Sequence, residues 1–226
     1  MKSPLQSFPR SIGGIARAFT LIELLSVMAV VSMLAVATVP ALRGTLDGIN
    51  ISGAAGVAEA EILLARQTAI SRNLPVEVRF YKHDDGTGEA WRVMAVVIPA
   101  SLSGAAADEW ITSGKVLPGN IVIEDSQDYS TVLEKATPVT AEKIAPWSSQ
   151  ESSSAPKLLQ GKSFVGFLFN PDGSTNLPSK DSSDVPQPWC LTLKNPQSQP
   201  MANAPAANYV SIVLDSLTGR TMAYQP

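Results

Sequence analysis

The sequence has very little of what soluble enzymes use for catalysis. It contains one cysteine, Cys190, and one histidine, His83. A single cysteine cannot form a disulfide within the chain, and a single histidine leaves no second imidazole for a zinc site. Charged residues make up only 16% of the chain, against about 25% in ordinary soluble domains. We therefore expect no enzyme activity and no cofactor.

Basic charge is also scarce. The chain has 17 lysines and arginines against 20 acidic residues, which gives a net charge of −3. Because a protein that binds DNA or RNA needs a basic surface, we expect no nucleic acid among the partners.

What the sequence does have is a long apolar run near its N-terminus. Residues 1–18 contain three basic residues and no acidic one, and residues 19–42 contain one charge, Glu23. A helix over 19–42 is about 36 Å long, enough to cross a hydrocarbon core of about 30 Å. The basic flank is expected to stay in the cytoplasm, which places the rest of the chain outside the membrane. A secretory signal peptide, cut after Ala35-Val36-Ala37, is the alternative.

Glu23 needs an explanation, because a carboxylate at the membrane centre costs about 2.5–3.5 kcal/mol. If the chain is cut after Ala18, the new α-amino group of Phe19 lies one helical turn from Glu23. The two charges can pair within one chain or between neighbouring helices, which lowers the cost of burying either of them. Glu23 is therefore predicted to form an assembly charge pair that packs helices in register.

The stretch Ala18-Phe19-Thr20-Leu21-Ile22-Glu23-Leu24 resembles the cleavage and N-methylation site of type IV prepilins and type II secretion pseudopilins. The resemblance implies that prepilin peptidase cuts before Phe19 and methylates its nitrogen. It also implies a helix kink at Pro40, where these chains commonly have a proline. Ala18 departs from the family, in which glycine usually precedes the cut.

These motifs divide the chain into four parts. Residues 1–18 are the leader, 19–42 the transmembrane and assembly half of a long helix, 43–74 an amphipathic half, and 75–226 a β-rich globular domain. Four glycines at 44, 48, 53 and 56 are expected to bend or locally melt the helix. The spacing of Ala58, Ile62, Ala65 and Ala69 predicts a stripe that packs on a sheet, and Leu63 and Ile70 are expected to widen it.

The rest of the sequence favours strands. Val76, Val78 and Phe80 alternate with Glu77, Arg79 and Tyr81, which predicts a half-buried strand that returns through a turn at 83–88 to a second strand at 91–98. Further strands are predicted at 109–113, 119–124, 163–169, 189–194, 209–215 and 221–224. Long loops are expected at about 125–160, as a surface insertion, and at 171–188. One helix followed by strands without alternation argues for an α+β fold with an antiparallel sheet.

Three short segments resemble pseudopilin H and FimT-like minor pilins. They are Ala65–Asn73 followed by Pro75-Val76, the turn Phe169-Asn170-Pro171-Asp172-Gly173, and the ending Leu217-Thr218-Gly219-Arg220-Thr221. The resemblance implies a pilin-like fold in which the long helix packs on the antiparallel sheet.

The turn after the first strand holds a weak candidate metal site. Asp84, Asp85 and Glu89 supply carboxylates in a glycine-rich loop, the ligand type that calcium prefers. A solvated hairpin turn explains the same residues and is the interpretation we favour, so no metal is expected.

The resemblance implies a structural role as a minor pseudopilin of a type II secretion-like pseudopilus. Its partners would be prepilin peptidase and, through the N-terminal helix, other pilins or pseudopilins. It would cross the bacterial inner membrane once, with the globular domain in the periplasm. Two alternatives stay open: a minor type IV pilus subunit for initiation, adhesion or DNA uptake, and a membrane-anchored binding domain that does not polymerise.

Overall fold

The fold was analysed in a computed structural model, which describes residues 20–86, 88–126, 128–133, 147–151, 154–179, 188–198, 201 and 204–225. The chain divides into two compact units, Met1–Gly44 and Thr45–Pro226. Coarsely, it is an α+β protein with one long apolar helix and an open antiparallel sheet. The predicted leader 1–18 lies outside the described residues.

Helix α1 spans Leu21–Arg72. The expectation that the glycine-rich stretch locally melts is wrong, because the helix continues through Gly48, Gly53 and Gly56. It ends where Asn73 adopts a left-handed conformation, with φ of 54°, and the Leu74 N–H donates to the carbonyl oxygen of Ala69 at 3.3 Å. This hydrogen bond closes the helix in the Schellman manner, and Pro75 follows. A short helix, α2, covers Ala100–Ser103, and a single 3₁₀ turn covers Thr131–Leu133.

The described strands are β1 (Val76–Asp84), β2 (Glu89–Ile98), β3 (Glu109–Trp110), β4 (Lys115–Val116), β5 (Val122–Ile123), β6 (Trp147–Gln150), β7 (Ser163–Phe169), β8 (Trp189–Lys194), β9 (Tyr209–Leu214) and β10 (Thr221–Tyr224). They form one sheet in the order β10-β9-β8-β5-β2-β1-β7-β6, in which neighbouring strands are antiparallel. One edge of β2 pairs with β1, while its other edge pairs in succession with β3, β4 and β5.

The strand predictions are accurate for the long strands and poor for the short ones. The strands at 163–169, 189–194 and 221–224 have the predicted bounds, and the one at 209–215 ends one residue earlier. Those at 109–113 and 119–124 shrink to two residues each, and β4 was not predicted. Of the loop expected at 171–188, residues 171–179 and 188 are described.

The main core lies between the sheet and the second half of α1. Ala58, Ile62, Ala65 and Ala69 are buried there, as the spacing predicted, against strand residues that include Phe80. The prediction that Leu63 and Ile70 widen this stripe is wrong, because they are 48% and 45% exposed.

The opposite face of β1 and β2 is also covered, so the prediction of a half-buried first strand is wrong. Tyr81, Val93 and Val97 pack there with Leu159, from the segment between β6 and β7, and with Phe164 of β7. Part of the predicted surface insertion at 125–160 is therefore core structure, since it adds an edge strand and buries this second face. Residues 134–146 of that insertion lie outside the described part of the chain.

Candidate functional site

The first half of α1 presents apolar side chains to its surroundings. Within Met1–Gly44, every large apolar side chain from Leu21 to Val36 is more than half exposed. Ala18 and Phe19 lie outside the described residues, and so does the side chain of Pro40, whose backbone belongs to α1. The cleavage site, the kink and the Phe19–Glu23 charge pair therefore stay predictions.

Glu23 lies in the first turn of α1 and is exposed. Its N–H donates to the hydroxyl oxygen of Thr20 at 3.3 Å and to the Thr20 carbonyl oxygen at 3.1 Å. Thr20 and Glu23 have the Thr-x-x-Glu spacing of a helix capping box, a signal that the sequence analysis missed. A carboxylate in the first turn also interacts favourably with the helix dipole. Glu23 thus helps to begin the helix as well as carrying the predicted assembly charge.

Two stretches of α1 are strongly apolar. Leu46–Arg72 is long and apolar enough to cross a membrane by length and composition, and Leu21–Val36 is a shorter apolar helical stretch. Leu46–Arg72, however, buries Ile51, Ala54 and Ala58 completely against the domain's own core. A helix that fills a core in this way cannot also be surrounded by lipid. In Leu21–Val36, by contrast, all the large apolar side chains are exposed.

Arg66 of α1 joins the segments that resemble minor pilins. Its Nε donates to the carbonyl oxygens of Thr218, at 3.0 Å, and Gly173, at 3.3 Å. The two turns that supply these oxygens are also bonded to each other, because the Thr175 N–H donates to the Ser216 carbonyl oxygen at 2.8 Å. Helix, strand-end turn and final hairpin therefore meet at one point.

This junction is packed too closely for a side chain at Gly219. Gly219 has φ of +64°, and a Cβ there would lie 2.8 Å from Cε1 of Phe169 and against the carbonyl oxygen of Gly173. Each turn is also held by its own aspartate. The hydroxyl and N–H of Ser174 lower the pKa of Asp172, and the Thr218 hydroxyl with the Leu217 N–H lowers that of Asp215.

A second cluster, the Arg79 cluster, lies on the sheet face away from α1. The Arg79 guanidinium donates to Glu77 at 2.7 and 2.9 Å, to Glu151 at 2.8 Å and to Asp108 at 2.9 Å. The Tyr81 hydroxyl donates to the same Glu151 oxygen at 2.6 Å. Arg79, Glu77 and Glu151 are nearly inaccessible to solvent.

Aromatic rings complete the surroundings of the Arg79 guanidinium. Its central carbon lies 4.5 Å from the ring centre of Phe164 and 5.5 Å from that of Trp110. Burial alone would lower the pKa of Arg79, but the charge of Glu77 and its hydrogen bond outweigh this and raise it. Burial raises the pKa of Tyr81, and the hydrogen bond to Glu151 raises it further. The cluster consists of paired charges and a hydrogen-bonded tyrosine, so its geometry suits the role of holding the segment after β6 against the sheet.

Sequence alternation does not reveal this cluster. Glu77 and Arg79 alternate with Val76, Val78 and Phe80, which predicts an exposed face for them. One signal is present in the sequence: large apolar residues cluster around Phe164 and need a surface to pack against. That signal does not identify the surface.

Glu61 is a buried acid on the core side of α1. The Thr112 hydroxyl donates to its Oε2 at 2.9 Å, and the Thr112 oxygen accepts from the Val96 N–H at 2.9 Å. Burial raises the pKa of Glu61, while the hydrogen bond from Thr112 and the charge of Lys115 oppose the rise. The acid ties α1 to the chain that follows β3.

Two of the three candidate metal ligands in the β1–β2 turn have other partners. The Asp84 Oδ1 accepts from the N–H groups of Gly86, at 2.8 Å, and Gly88, at 3.1 Å, and these bonds lower the pKa of Asp84. Asp85 pairs with Arg92, and Glu89 is exposed. Among the described residues no group of three or more His, Cys, Asp or Glu side chains is placed to hold a metal ion. The turn residues are thus arranged as a hairpin turn.

Comparison with known proteins found no matching family model, no matching curated protein and no matching solved structure.

Proposed function

We propose that the chain is a structural subunit of a pilin-like filament: a minor pseudopilin of a type II secretion-like pseudopilus. It is processed before Phe19 by prepilin peptidase and assembles through the first half of α1. That half crosses the bacterial inner membrane before assembly, and the domain formed by residues 45–226 lies in the periplasm.

The observation that carries this proposal is the contrast between the two halves of α1. The second half buries a stripe of small apolar residues on its own sheet, whereas the large apolar residues of Leu21–Val36 are all exposed. Because an exposed apolar surface of this length is unfavourable in water, it needs lipid before assembly and other helices afterwards. A subunit that leaves the membrane to join a helical bundle meets both needs.

Processing is the first test. We expect the protein isolated from its native membrane to begin with N-methyl-phenylalanine at Phe19, as shown by intact mass and by sequencing of the N-terminal peptide. A mature N-terminus at Thr38 would establish the secretory signal peptide instead, and an unprocessed N-terminus would exclude the pilin-like assignment.

Glu23 provides the second test. Breaking a buried charge pair by removing one partner typically costs about 3–5 kcal/mol, at least a hundredfold in an equilibrium for subunit addition. We expect Glu23→Gln to insert in the membrane but to copurify poorly with the major subunit, with Glu23→Asp intermediate. Glutamine also completes a capping box, so this variant removes the charge and keeps the cap.

Ser32→Ala is the matched control, because Ser32 is exposed in the same half of the helix and its hydroxyl only donates to the Met28 carbonyl oxygen at 2.7 Å. It should be incorporated like the wild type. Equal incorporation of Glu23→Gln and wild type would refute the charge-pair mechanism.

A further inference from the structure

The second half of α1 has an apolar face on the side away from the core. Eight positions at alternating spacings of three and four residues are all exposed, and none of them is charged. This spacing places them on one face of the helix, which we call the outer face. Its members are Leu46, Ile49, Gly53, Gly56, Ala60, Leu63, Gln67 and Ile70.

The outer face lies within the amphipathic half predicted at 43–74. An ordinary surface helix of a soluble domain is apolar towards the core and polar towards water. Here Ile49 on the outer face is 62% exposed, while Ile51 on the core side is fully buried. A helix that is apolar on both sides is typical of one with a partner on both sides.

Side-chain size along the outer face follows a pattern. Large residues stand at the start, Leu46 and Ile49, and again at Leu63 and Ile70. Between them come Gly53, Gly56 and Ala60. Nothing lies within 4 Å of a Cβ built at Gly53 or Gly56. Small residues allow two helix backbones to approach closely, and larger residues fill the gap that widens on either side of a crossing point.

We propose that the occupant of the outer face is the same face of a second copy of this chain, crossing it in parallel with the closest approach at Gly53, Gly56 and Ala60. The parallel orientation rests on the proposed function, because two copies inserted in one membrane by the same route point the same way. A second copy fits because a parallel pair in register sets identical residues opposite each other. Each copy therefore presents small residues where its partner does, and large residues where the gap widens.

Charge and area agree with this occupant. In a parallel pair, Glu59 and Arg66 on one flank of the outer face lie opposite the other flank of the partner copy. That other flank carries no charge, so no like charges meet; it is formed by Asn50, Val57, Leu64 and Ser71. Two outer faces together bury on the order of 1,000 Å², the lower limit for a specific interface. The pair consequently needs the membrane to hold both copies close together, since confinement raises their effective concentration.

The test is disulfide crosslinking of the full chain in membranes of the expressing cells, in a Cys190→Ser background. Ile49→Cys places one thiol on the outer face beside the crossing. Met222→Cys is the matched control, because Met222 is even more exposed, at 71%, but lies on β10. We expect mild oxidation to convert Ile49→Cys to a dimer at least ten times more efficiently than Met222→Cys.

Filling the crossing point tests the geometry. Gly53→Leu with Gly56→Leu, added to Ile49→Cys, should reduce the dimer at least tenfold, whereas Gly53→Ala with Gly56→Ala should leave most of it. Both pairs replace glycine in a helix at positions with open space, so thermal unfolding should show an intact domain for each.

Four outcomes would overturn the inference. Equal dimer yields from Ile49→Cys and Met222→Cys exclude the parallel contact. A crosslinked band with the mass of a different partner excludes the second copy. A dimer that survives the leucine pair, or one lost equally with the alanine pair, excludes a close crossing at the glycines. The N-terminal sequence of the same material separates the two proposals, because an unprocessed chain that still crosslinks refutes the pseudopilin assignment and leaves the pairing in place.

Discussion

Arg79 is expected to be among the most sensitive positions of the domain. Its side chain is 6% exposed and contacts two carboxylates, Glu77 and Glu151, that are 3% and 4% exposed. Arg79→Met keeps the length of the side chain and leaves these acids without their cation. Removing one partner of a buried ion pair costs about 3–5 kcal/mol, and three carboxylates share this one guanidinium, so we expect the upper part of that range.

The assay is thermal unfolding of the full chain in detergent, followed by tryptophan fluorescence because Trp110 stacks on the guanidinium. For a chain of this size about 1 kcal/mol lowers the Tm by about 2–4 °C, which predicts a fall of about 8–20 °C. Arg72→Met is the matched control. Arg72 pairs with Glu109 at 2.5 Å, but both side chains are about half exposed, so the loss should be at most about 1 kcal/mol.

Two results bear directly on the reasoning. If Arg79→Met and Arg72→Met lower the Tm equally, the Arg79 cluster does not stabilise the domain as a buried ion-pair cluster. Adding Glu151→Gln to Arg79→Met should recover part of the loss, because one uncompensated charge is removed; a further additive loss would contradict the electrostatic explanation and leave packing as the cause.

Two other substitutions test the core side of the helix and the junction at Arg66. Gly219→Ala should lower the free energy of unfolding by about 2–4 kcal/mol, because the left-handed conformation and the contact with Phe169 both oppose a methyl group. Gly161→Ala is the control and should lower it by about 1 kcal/mol, because Gly161 has a φ of +69° but open space around it. Equal losses in urea unfolding would show that the close approach at Gly219 does not matter. For Glu61, burial raises the pKa above its ordinary value of 4.5, so the folded state holds the proton more tightly and stability falls as the pH rises from about that value through the folded pKa. Glu61→Gln should therefore gain stability over the wild type between pH 4 and pH 8, and parallel pH profiles would exclude a buried acid at this site.

Local signals account for most of what the sequence predicted correctly. The bounds of β7 and β8 follow from short runs of β-branched, aromatic and aliphatic residues between turn residues, which need no information from elsewhere in the chain. The buried stripe from Ala58 to Ala69 follows in the same way from helical spacing. The end of α1 at Arg72 is likewise local, because Asn73 tolerates the left-handed conformation and Pro75 cannot continue the helix.

The error at β1 and the missed Arg79 cluster have a common physical cause, which is that burial of a strand face depends on distant segments. Alternation along β1 separates two faces correctly, with Val78 and Phe80 on one side and Glu77 and Arg79 on the other. It cannot show that the segment around Glu151 returns to cover the second face. Polar residues at such positions look exposed in sequence, although Arg79 is buried by virtue of partners contributed from beyond residue 100.

The outer face of α1 is also hard to predict from the sequence. Helical periodicity identifies a stripe by contrast with polar residues between its members, and Glu59, Arg66 and Arg72 supplied enough contrast to indicate an ordinary amphipathic helix. Leu63 and Ile70 were then assigned to the core stripe, whereas the structure leaves them about half exposed, outside that stripe. A helix with two apolar stripes shows a weak periodicity, because each stripe cancels the asymmetry of the other. Weak periodicity in a helix that nonetheless packs on a sheet is therefore itself a sign of a second partner, and in α1 it points to the face around Gly53 and Gly56.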